Sequence, residues 1–417
     1  MKDTELYSQI LGISSPWKVT KVELDAGGKK VDIFLEHDAG VKWHCPKCGV
    51  PAGVRDHASE RVWRHLDTCQ CKTIIHARIP RIHCKEHGVL QVKVPWAEEN
   101  SRFTLLMERL VIDVLNECNT ITGAKNLMRM TWDEVWHVLE KAVKRGQLRK
   151  GNKVPEYIGI DEKAFRKGHE YMTIVYDIYG KNVEFVSEGR TKESIKSYYD
   201  QFSRGELDSI KAISMDMWAP YFDTTIQYVP GATDKIVHDR FHIMKYVGEA
   251  IDKVRRQENK ELLKNNDTTL VGTKYLWLYN KDNLPERYQP EFENLKQSSL
   301  KVAKAWAMKD NLQNLWNYMR TSSAHKFFMK WKSWVCRSKI QPMKDLAQML
   351  YRHLDNIITF CRHHITNGLA EGMNSKIMTI KRKACGYRNR EHFKTAIYFF
   401  CGGLDLYPTA HISCKTH

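Results

Sequence analysis

Long apolar runs are missing from this chain of 417 residues: no stretch approaches the roughly 18–20 uninterrupted apolar residues that a membrane-spanning helix requires. Its start, Met1-Lys-Asp-Thr-Glu5, lacks the apolar core of a secretory leader, so a cytoplasmic address and no membrane partner are expected. Acid is short relative to base, with 49 Asp and Glu against 66 Lys and Arg and a formal net charge of +17. A surplus of that size favours a polyanionic partner, and with no membrane signal that partner is nucleic acid. Internal repeats and low-complexity tracts are absent, and a composition of 42% hydrophobic and 28% charged residues excludes a fibrous or disordered chain. A regular disulfide framework is missing too. The eleven cysteines are odd in number, five of them fall between Cys45 and Cys84, and the rest are scattered singly. That distribution fits a reducing compartment and one local metal site.

Among what is present, the cysteine cluster is the most specific. Cys45-Pro-Lys-Cys48-Gly and Cys84-Lys-Glu-His87-Gly have the same ligand spacing, and a glycine follows each pair. Two such pairs separated by a β-rich loop describe a closed Cys3His zinc site, structural because four protein ligands leave no position for substrate. Cys69 and Cys71, read as i and i+2 on a strand, are either a spare ligand pair or ordinary thiols.

Residues 1–100 alternate as short strands, with Val31–Glu36 and Lys72–Ile79 the clearest. The pattern then turns helical. Thr104–Leu115, Ile121–Met128 and Trp132–Arg149 are expected as three helices, the last opened by the capping box Thr131-Trp-Asp-Glu134. Val135, Val138, Leu139 and Ala142 form its apolar face, while Trp136, His137, Lys141, Lys144 and Arg145 occupy the rest. A trihelical unit with a basic last helix suits a helix-turn-helix entering the DNA major groove, with those five residues facing DNA. Beyond Gly151–Pro155, strands are expected at Tyr157–Ile160, Tyr171–Tyr176, Val183–Val186, Lys211–Asp216 and Lys235–His238, with a helix from about Thr191, which implies a mixed α/β sheet. Ile243 to about Ile358 reads as helical and rich in Trp.

Two carboxylates, Asp161 and Asp216, are read as ending apolar strands, a placement used by sites that hold hard divalent cations. Glu371 is the candidate third. It sits one turn into a helix whose apolar face is Leu369, Met373, Ile377 and Ile380, on the opposite face with Asn367, Asn374 and Arg382. Lys376, Lys381, Arg382 and Lys383 follow it as a basic track suited to a phosphodiester backbone.

These segments carry a resemblance. Cys45-Pro-Lys-Cys48, Arg61-Val-Trp-Arg-His-Leu-Asp67, Gly159-Ile-Asp161-Glu-Lys, Ser214-Met-Asp216-Met-Trp, His238-Asp-Arg-Phe-His242 and Asn367-Gly-Leu-Ala-Glu371-Gly-Met-Asn, in this order, resemble insertion-sequence transposases of the ISL-three family. The resemblance implies a zinc-binding β-rich domain (1–100), a helix-turn-helix (101–150), and a ribonuclease-H-like α/β catalytic domain (155–242 and 360–400) interrupted by an all-helical insertion (243–359). It also implies a DDE triad of Asp161, Asp216 and Glu371 holding two Mg²⁺, with Mn²⁺ as a substitute. Asp239 and His242 are either an accessory D-x-x-H element or a strand-end Asp with a packing His. The implied activity is that of a bacterial, nucleoid-associated transposase, acting as a dimer or larger homo-oligomer that binds terminal inverted repeats and catalyses cleavage and strand transfer. Trp218 or the Trp-rich stretch (Trp277, Trp306, Trp316, Trp331, Trp334) offers a surface for an unpaired base, although most of these Trp residues read as helical core. The rival readings are a zinc-containing DNA-binding regulator with an inactive nuclease-like domain, and a metal nuclease without joining activity.

Overall fold

The computed structural model describes residues 2–166, 170–279, 283–366 and 368–409. The chain divides into two compact units, one of Met1–Lys150 with Lys383–Gly386 and Leu404–His417, the other of Gly151–Arg382 with Tyr387–Gly403.

The first unit opens with α1 (Asp3–Ile10), then β1 (Trp17–Asp25), β2 (Lys30–His37), β3 (Trp43–His44), β4 (Pro51–Ala52), β5 (Val54–His57), β6 (Arg61–Arg64), β7 (Lys72–Ala77), β8 (Pro80–Cys84) and β9 (Gly88–Gln91). One sheet has the order β1-β2-β7-β6, a second β5-β8-β9, and β3 pairs with β4 alone. Alternation sets the buried side of the larger sheet: Val31, Ile33 and Leu35 point in from β2, and Thr73, Ile75 and Ala77 from β7. Trp17, Trp63 and Trp96 meet there edge to face, at centroid separations of 4.9 and 5.6 Å. Cys69 and Cys71 do not share a strand as expected. Cys69 and Gln70 are the two central residues of the β6–β7 turn, both at positive φ, closed by paired Thr68–Cys71 backbone hydrogen bonds of 3.0 and 2.8 Å.

Three helices complete this unit: α2 (Leu105–Cys118), α3 (Ile121–Met128) and α4 (Trp132–Lys150). Each start is capped as its sequence requires. Thr104 Oγ1 accepts from Met107 N, Thr120 Oγ1 from Gly123 N, and Thr131 and Glu134 close their reciprocal box at 2.8 and 3.2 Å. Their apolar stripes (Val111, Ile112, Leu115; Ala124; Val135, Val138, Leu139, Ala142) close on one another. Residues 404–407 return to this unit. Arg145 Nη1 donates to Leu406 O at 2.5 Å, Arg149 Nη1 to Tyr407 O at 2.6 Å, and Tyr407 OH to Asp113 at 2.6 Å.

In the second unit, β10 (Tyr157–Arg166), β11 (Glu170–Asp177), β12 (Asn182–Glu188), β13 (Ala212–Met215) and β14 (Ile236–His238) form a sheet ordered β12-β11-β10-β13-β14. The first three strands run antiparallel, and β13 and β14 join parallel to β10. The helices α5 (Lys192–Tyr199), α6 (Arg204–Asp208), α7 (Ala219–Tyr228) and α8 (Ala232–Lys235) connect these strands. From α5 and α7, Ile195, Tyr198, Tyr199 and Tyr221 share a core with Ile158, Ile160, Ile213 and Met215 of the sheet.

Between β14 and the return to the sheet lie α9 (Arg240–Leu263), α10 (Lys274–Leu278), α11 (Gln289–Gln297), α12 (Lys301–Leu312), α13 (Thr321–Arg337), α14 (Gln341–Arg352), α15 (Leu354–Ile358) and α16 (Phe360–His363). They enclose a core of their own in which Trp277, Trp306, Trp316 and Trp331 are buried, so these four are packing residues; Trp334 is 36% exposed. Glu258 of α9 accepts from the N–H groups of Lys301 and Val302 at 2.6 and 2.8 Å, placing an anion on the positive end of α12. The chain ends its second unit with α17 (Gly368–Lys383) and α18 (Arg390–Cys401), whose Tyr398 hydroxyl accepts from Val186 N of β12. Among the described residues no helix is long and apolar enough to cross a membrane.

Candidate active site and metal centre

The four residues expected to hold zinc stand at the tips of two hairpins. β3 and β4 flank Cys45–Gly49, and β8 and β9 flank Cys84–Gly88. Gly49 and Gly88 hold φ of 74° and 69°, which explains a glycine straight after each ligand pair. Cys48 Sγ lies 3.6 Å from Cys84 Sγ, and His87 Nδ1 lies 3.9 and 3.6 Å from Cys45 Sγ and Cys84 Sγ. A tetrahedral ion with Zn–S of about 2.3 Å and Zn–N of about 2.0 Å sets ligand atoms roughly 3.5–3.8 Å apart, so the four residues fit zinc. Among the described residues they are the group of metal-ligating side chains whose donor atoms all lie within 4.8 Å of one another. The Cys48 backbone N–H directed at Cys45 is the largest influence in lowering that thiol to about 6, toward the thiolate a metal takes.

In the second unit, strand alternation decides which way each carboxylate points. Ile158 and Ile160 face α5 and α7, so Asp161 faces the opposite side of the sheet and Glu162 returns to the first. Asp161 does not end its strand as expected: β10 continues to Arg166, because Glu162–Ala164 and Arg166 keep pairing with β11. Ile160 is in register with Met215 of parallel β13, and Met215 with His238 of β14. Asp161, Asp216 and Asp239 therefore follow in a row across three neighbouring strands, all buried. His242, in the first turn of α9, stands between two of them, with Nδ1 3.4 Å from Asp216 Oδ2 and Nε2 4.0 Å from Asp161 Oδ1.

Glu371 lies in the first turn of α17 and is exposed. Burial and the charges of Asp239 and Asp161 raise its carboxyl above the ordinary value, with His242 opposing, so it shares the electrostatic field of the aspartates. It lines a cleft of about 740 Å³ together with Asp239, Phe241 and Lys309. Asp161 is raised as well, by burial first, against the Glu162 N–H, His242 and Asn374.

Asn374 was expected on the solvated face of α17, and the structure corrects this. It is buried, donating Nδ2 to Asp161 Oδ2 at 2.6 Å and accepting from Tyr176 OH at 2.8 Å. Asn367 and the Leu369 side chain lie outside the described residues. Sequence reasoning also missed Glu162, which pairs with Arg190 at 3.3 Å, and Tyr246, whose hydroxyl is 3.5 Å from Asp216 Oδ2. The Arg190 guanidinium sits 3.9 Å from the Trp218 ring centroid, covering a face of the one Trp near the carboxylates that was offered for base stacking.

Several cations expected to face DNA are engaged internally. Lys141 Nζ is 2.9 and 3.0 Å from Glu98 and Glu108, and Arg145 Nη2 is 2.7 and 2.9 Å from the same pair. Glu108 is 1% exposed, and a carboxylate buried in the apolar stripe of α2 draws both cations inward. Lys376 donates to Phe400 O at 2.6 Å, and Lys381 to Ala164 O and Phe165 O at 3.2 and 2.5 Å. His137, Lys144, Arg382 and Lys383 are exposed, and Trp136 stacks on Trp132 at 5.5 Å.

Comparison with known proteins matches three segments of the chain. A zinc-finger model of transposases IS204/IS1001/IS1096/IS1165 covers residues 42–87, and the helix-turn-helix model of transposase family ISL3 covers 92–143. The ISL3 model described as transposase covers 158–397. The chain belongs to the ISL3 family of transposases. Curated relatives of this transposase include the transposase for insertion sequence element IS1001 of Bordetella parapertussis, 29% identical over 88% of this chain and 90% of the relative. Another is the transposase for IS1557 of Mycobacterium tuberculosis, 25% identical over 93% of each. The zinc-finger match contains all four clustered ligands, and the ISL3 transposase match contains Asp161, Asp216, Asp239, His242, Glu371 and Asn374.

Proposed function

We propose that this transposase binds the terminal inverted repeats of its insertion sequence and catalyses metal-dependent DNA cleavage and strand transfer, with Asp161, Asp216 and Glu371 as the acidic triad. The observation that carries the reading is the placement of Asp161 and Asp216 side by side on parallel strands, both against His242, with Glu371 in their field. The sheet order β12-β11-β10-β13-β14, with its first three strands antiparallel, supports a ribonuclease-H-like catalytic domain over 155–242 and 360–400, with 243–359 as its helical insertion. Residues 1–100 and 101–150 would form the zinc-binding and helix-turn-helix domains. The working form would be a homo-oligomer on DNA in the bacterial cytoplasm, associated with the nucleoid.

The donor set is all oxygen and fits Mg²⁺, or Mn²⁺ as a substitute. When bound, two such ions supply activation of the attacking oxygen and stabilisation of the leaving one. The protein's own part is to hold the acids. Asn374 fixes one oxygen of Asp161 while the Glu162 N–H holds the other, and the Met217 N–H donates to Asp216 at 2.6 Å. Asp239 and His242 would be accessory residues that balance charge around the acids. On the DNA-binding side, Trp136, His137 and Lys144 of α4 and Arg382 and Lys383 of α17 remain candidates for contact. Lys141, Arg145, Lys376 and Lys381 act as internal cations instead.

Asp216→Asn tests the reading, because it keeps shape and removes a charge that balances the cations. Nicking and joining of the element end should collapse while binding to that end persists. Near wild-type nicking by the variant would remove Asp216 from the site, whereas a wild-type protein that binds the end but neither nicks nor joins it would favour the regulator reading.

A further inference from the structure

The Arg61-Val-Trp-Arg64 segment plays no part in the zinc cluster or the triad, yet it forms one wall of a pocket of about 650 Å³ in the first unit. Residues 100–103 and the α3–α4 turn (Arg129, Met130) form the others. Five cations line it: Arg61, Arg64, Lys72, Arg102 and Arg129. Its two acids, Glu60, which pairs with His76 at 3.1 Å, and Glu134, held in the Thr131 capping box with its charge also acting on Arg64, leave the cations in excess by five to two.

Two guanidiniums, Arg64 and Arg129, flank the single carboxylate of Asp67, so one positive charge of this trio is left over. The Arg64 side chain is only 11% exposed; its Nη2 pairs with Asp67, and its Nη1 makes no hydrogen bond. A buried guanidinium in that state strengthens the positive potential at the pocket mouth, since little water lies between. Arg129 also holds a φ of 52° at the C-cap of α3, a position that favours glycine or asparagine. Its side chain projects from the turn of the helix-turn-helix, beside the helix expected to meet DNA.

We propose that this pocket seats the sugar–phosphate backbone of duplex DNA, with a phosphodiester against Lys72, Arg102 and Arg129 and with Arg64 as the buried cation beneath. A phosphodiester suits it better than an acidic peptide because the pocket adjoins the helix-turn-helix, and backbone contacts are what set such a helix in register. The zinc-bearing β unit thus contributes a wall to the DNA site and does not merely support its own fold. The proposal rests on the DNA-end-binding reading above, but it requires no preference for sequence.

The test uses the full-length, zinc-loaded protein with Lys72→Gln, Arg102→Gln and the double variant, all at exposed positions. The probes are a duplex copying the DNA end that flanks this gene and an unrelated duplex of equal length, followed by fluorescence anisotropy across a salt series. Each lost phosphate contact should flatten the slope of log K against log salt by about 0.9. The double variant should lose affinity for both duplexes by the same factor, roughly tenfold or more. Arg102→Lys should keep the wild-type slope. An unchanged slope in the double variant, at an unchanged melting temperature, overturns the pocket. A wild type that binds both duplexes equally overturns the end-recognition reading instead, and the slopes still judge the pocket.

Discussion

Replacing Arg145 by alanine should unfold the helical part of the first unit before it alters anything at DNA. Arg145, with its side chain 10% exposed, holds Glu108 at 2.9 Å, Glu98 at 2.7 Å and the carbonyl of Leu406 at 2.5 Å. Breaking a buried pair by removing one partner destabilises by about 3–5 kcal/mol, because the remaining charge stays buried. Lys141 still reaches Glu108 at 3.0 Å, and Ser101 donates to it at 2.7 Å, so the lower end, about 3 kcal/mol, applies. With an m-value of about 2 kcal/mol/M, the urea midpoint falls by roughly 1.5 M. Lys144→Gln is the control: its side chain is 70% exposed and its Glu140 partner lies 3.5 Å away on the surface, so its effect stays under about 0.5 kcal/mol. Amide exchange over residues 105–150 during urea unfolding reads both. Adding Glu108→Gln to Arg145→Ala should recover part of the loss, because the stranded charge is then gone. An unchanged midpoint in Arg145→Ala, with a flattened salt dependence of DNA binding, would instead place Arg145 against phosphate and refute its internal role.

Three further outcomes follow from the same structure. Cys45→Ser or Cys84→Ser should release zinc and unfold the paired hairpins, while amide protection in β10–β14 persists; full zinc content in both variants would refute the ligand set. Burial raises the Glu98 carboxyl, but hydrogen bonds from Arg145 and Lys141 outweigh it and hold the group below the ordinary value. The unfolded chain therefore takes up that proton first, so the stabilisation is complete above an unfolded pKa of about 4.3 and is lost as pH falls through the folded value. Acid titration of the midpoint should show a loss that is shallower in Arg145→Ala. Asn374→Ala removes a hydrogen bond to a charged carboxylate, worth about 1.5–3 kcal/mol. End nicking should drop at least about tenfold and need more Mg²⁺, and an unchanged Mg²⁺ titration would show that Asn374 does not position Asp161.

Local pattern carried much of the architecture. The capping box at Thr131 marked the start of α4, period-two runs marked β2 and β7, and a continuous apolar run marked β11. What escaped depended on partners distant in sequence. The stretch after Asp161 is charged and reads as a turn, yet β10 continues because β11 offers it a ladder. Asn374 occupies a polar position on a helical wheel, but Tyr176 and Asp161 on the sheet decide its orientation. The inward turn of Lys141 and Arg145 did have a visible sign: Glu108 sits inside the apolar stripe of α2, and an acid there requires a buried cation.

The return of residues 404–407 to α4 has a consequence in time. Protein synthesis runs in one direction, so the carbonyls of Leu406 and Tyr407 that receive Arg145 and Arg149 do not exist until residues 151–403 have been made. A nascent chain can close its paired hairpins early, but α4 waits for a strap made some 260 residues later. A fragment ending at residue 150, or a fusion that displaces residues 404–407, should therefore carry α4 in an unfinished state whatever its zinc content.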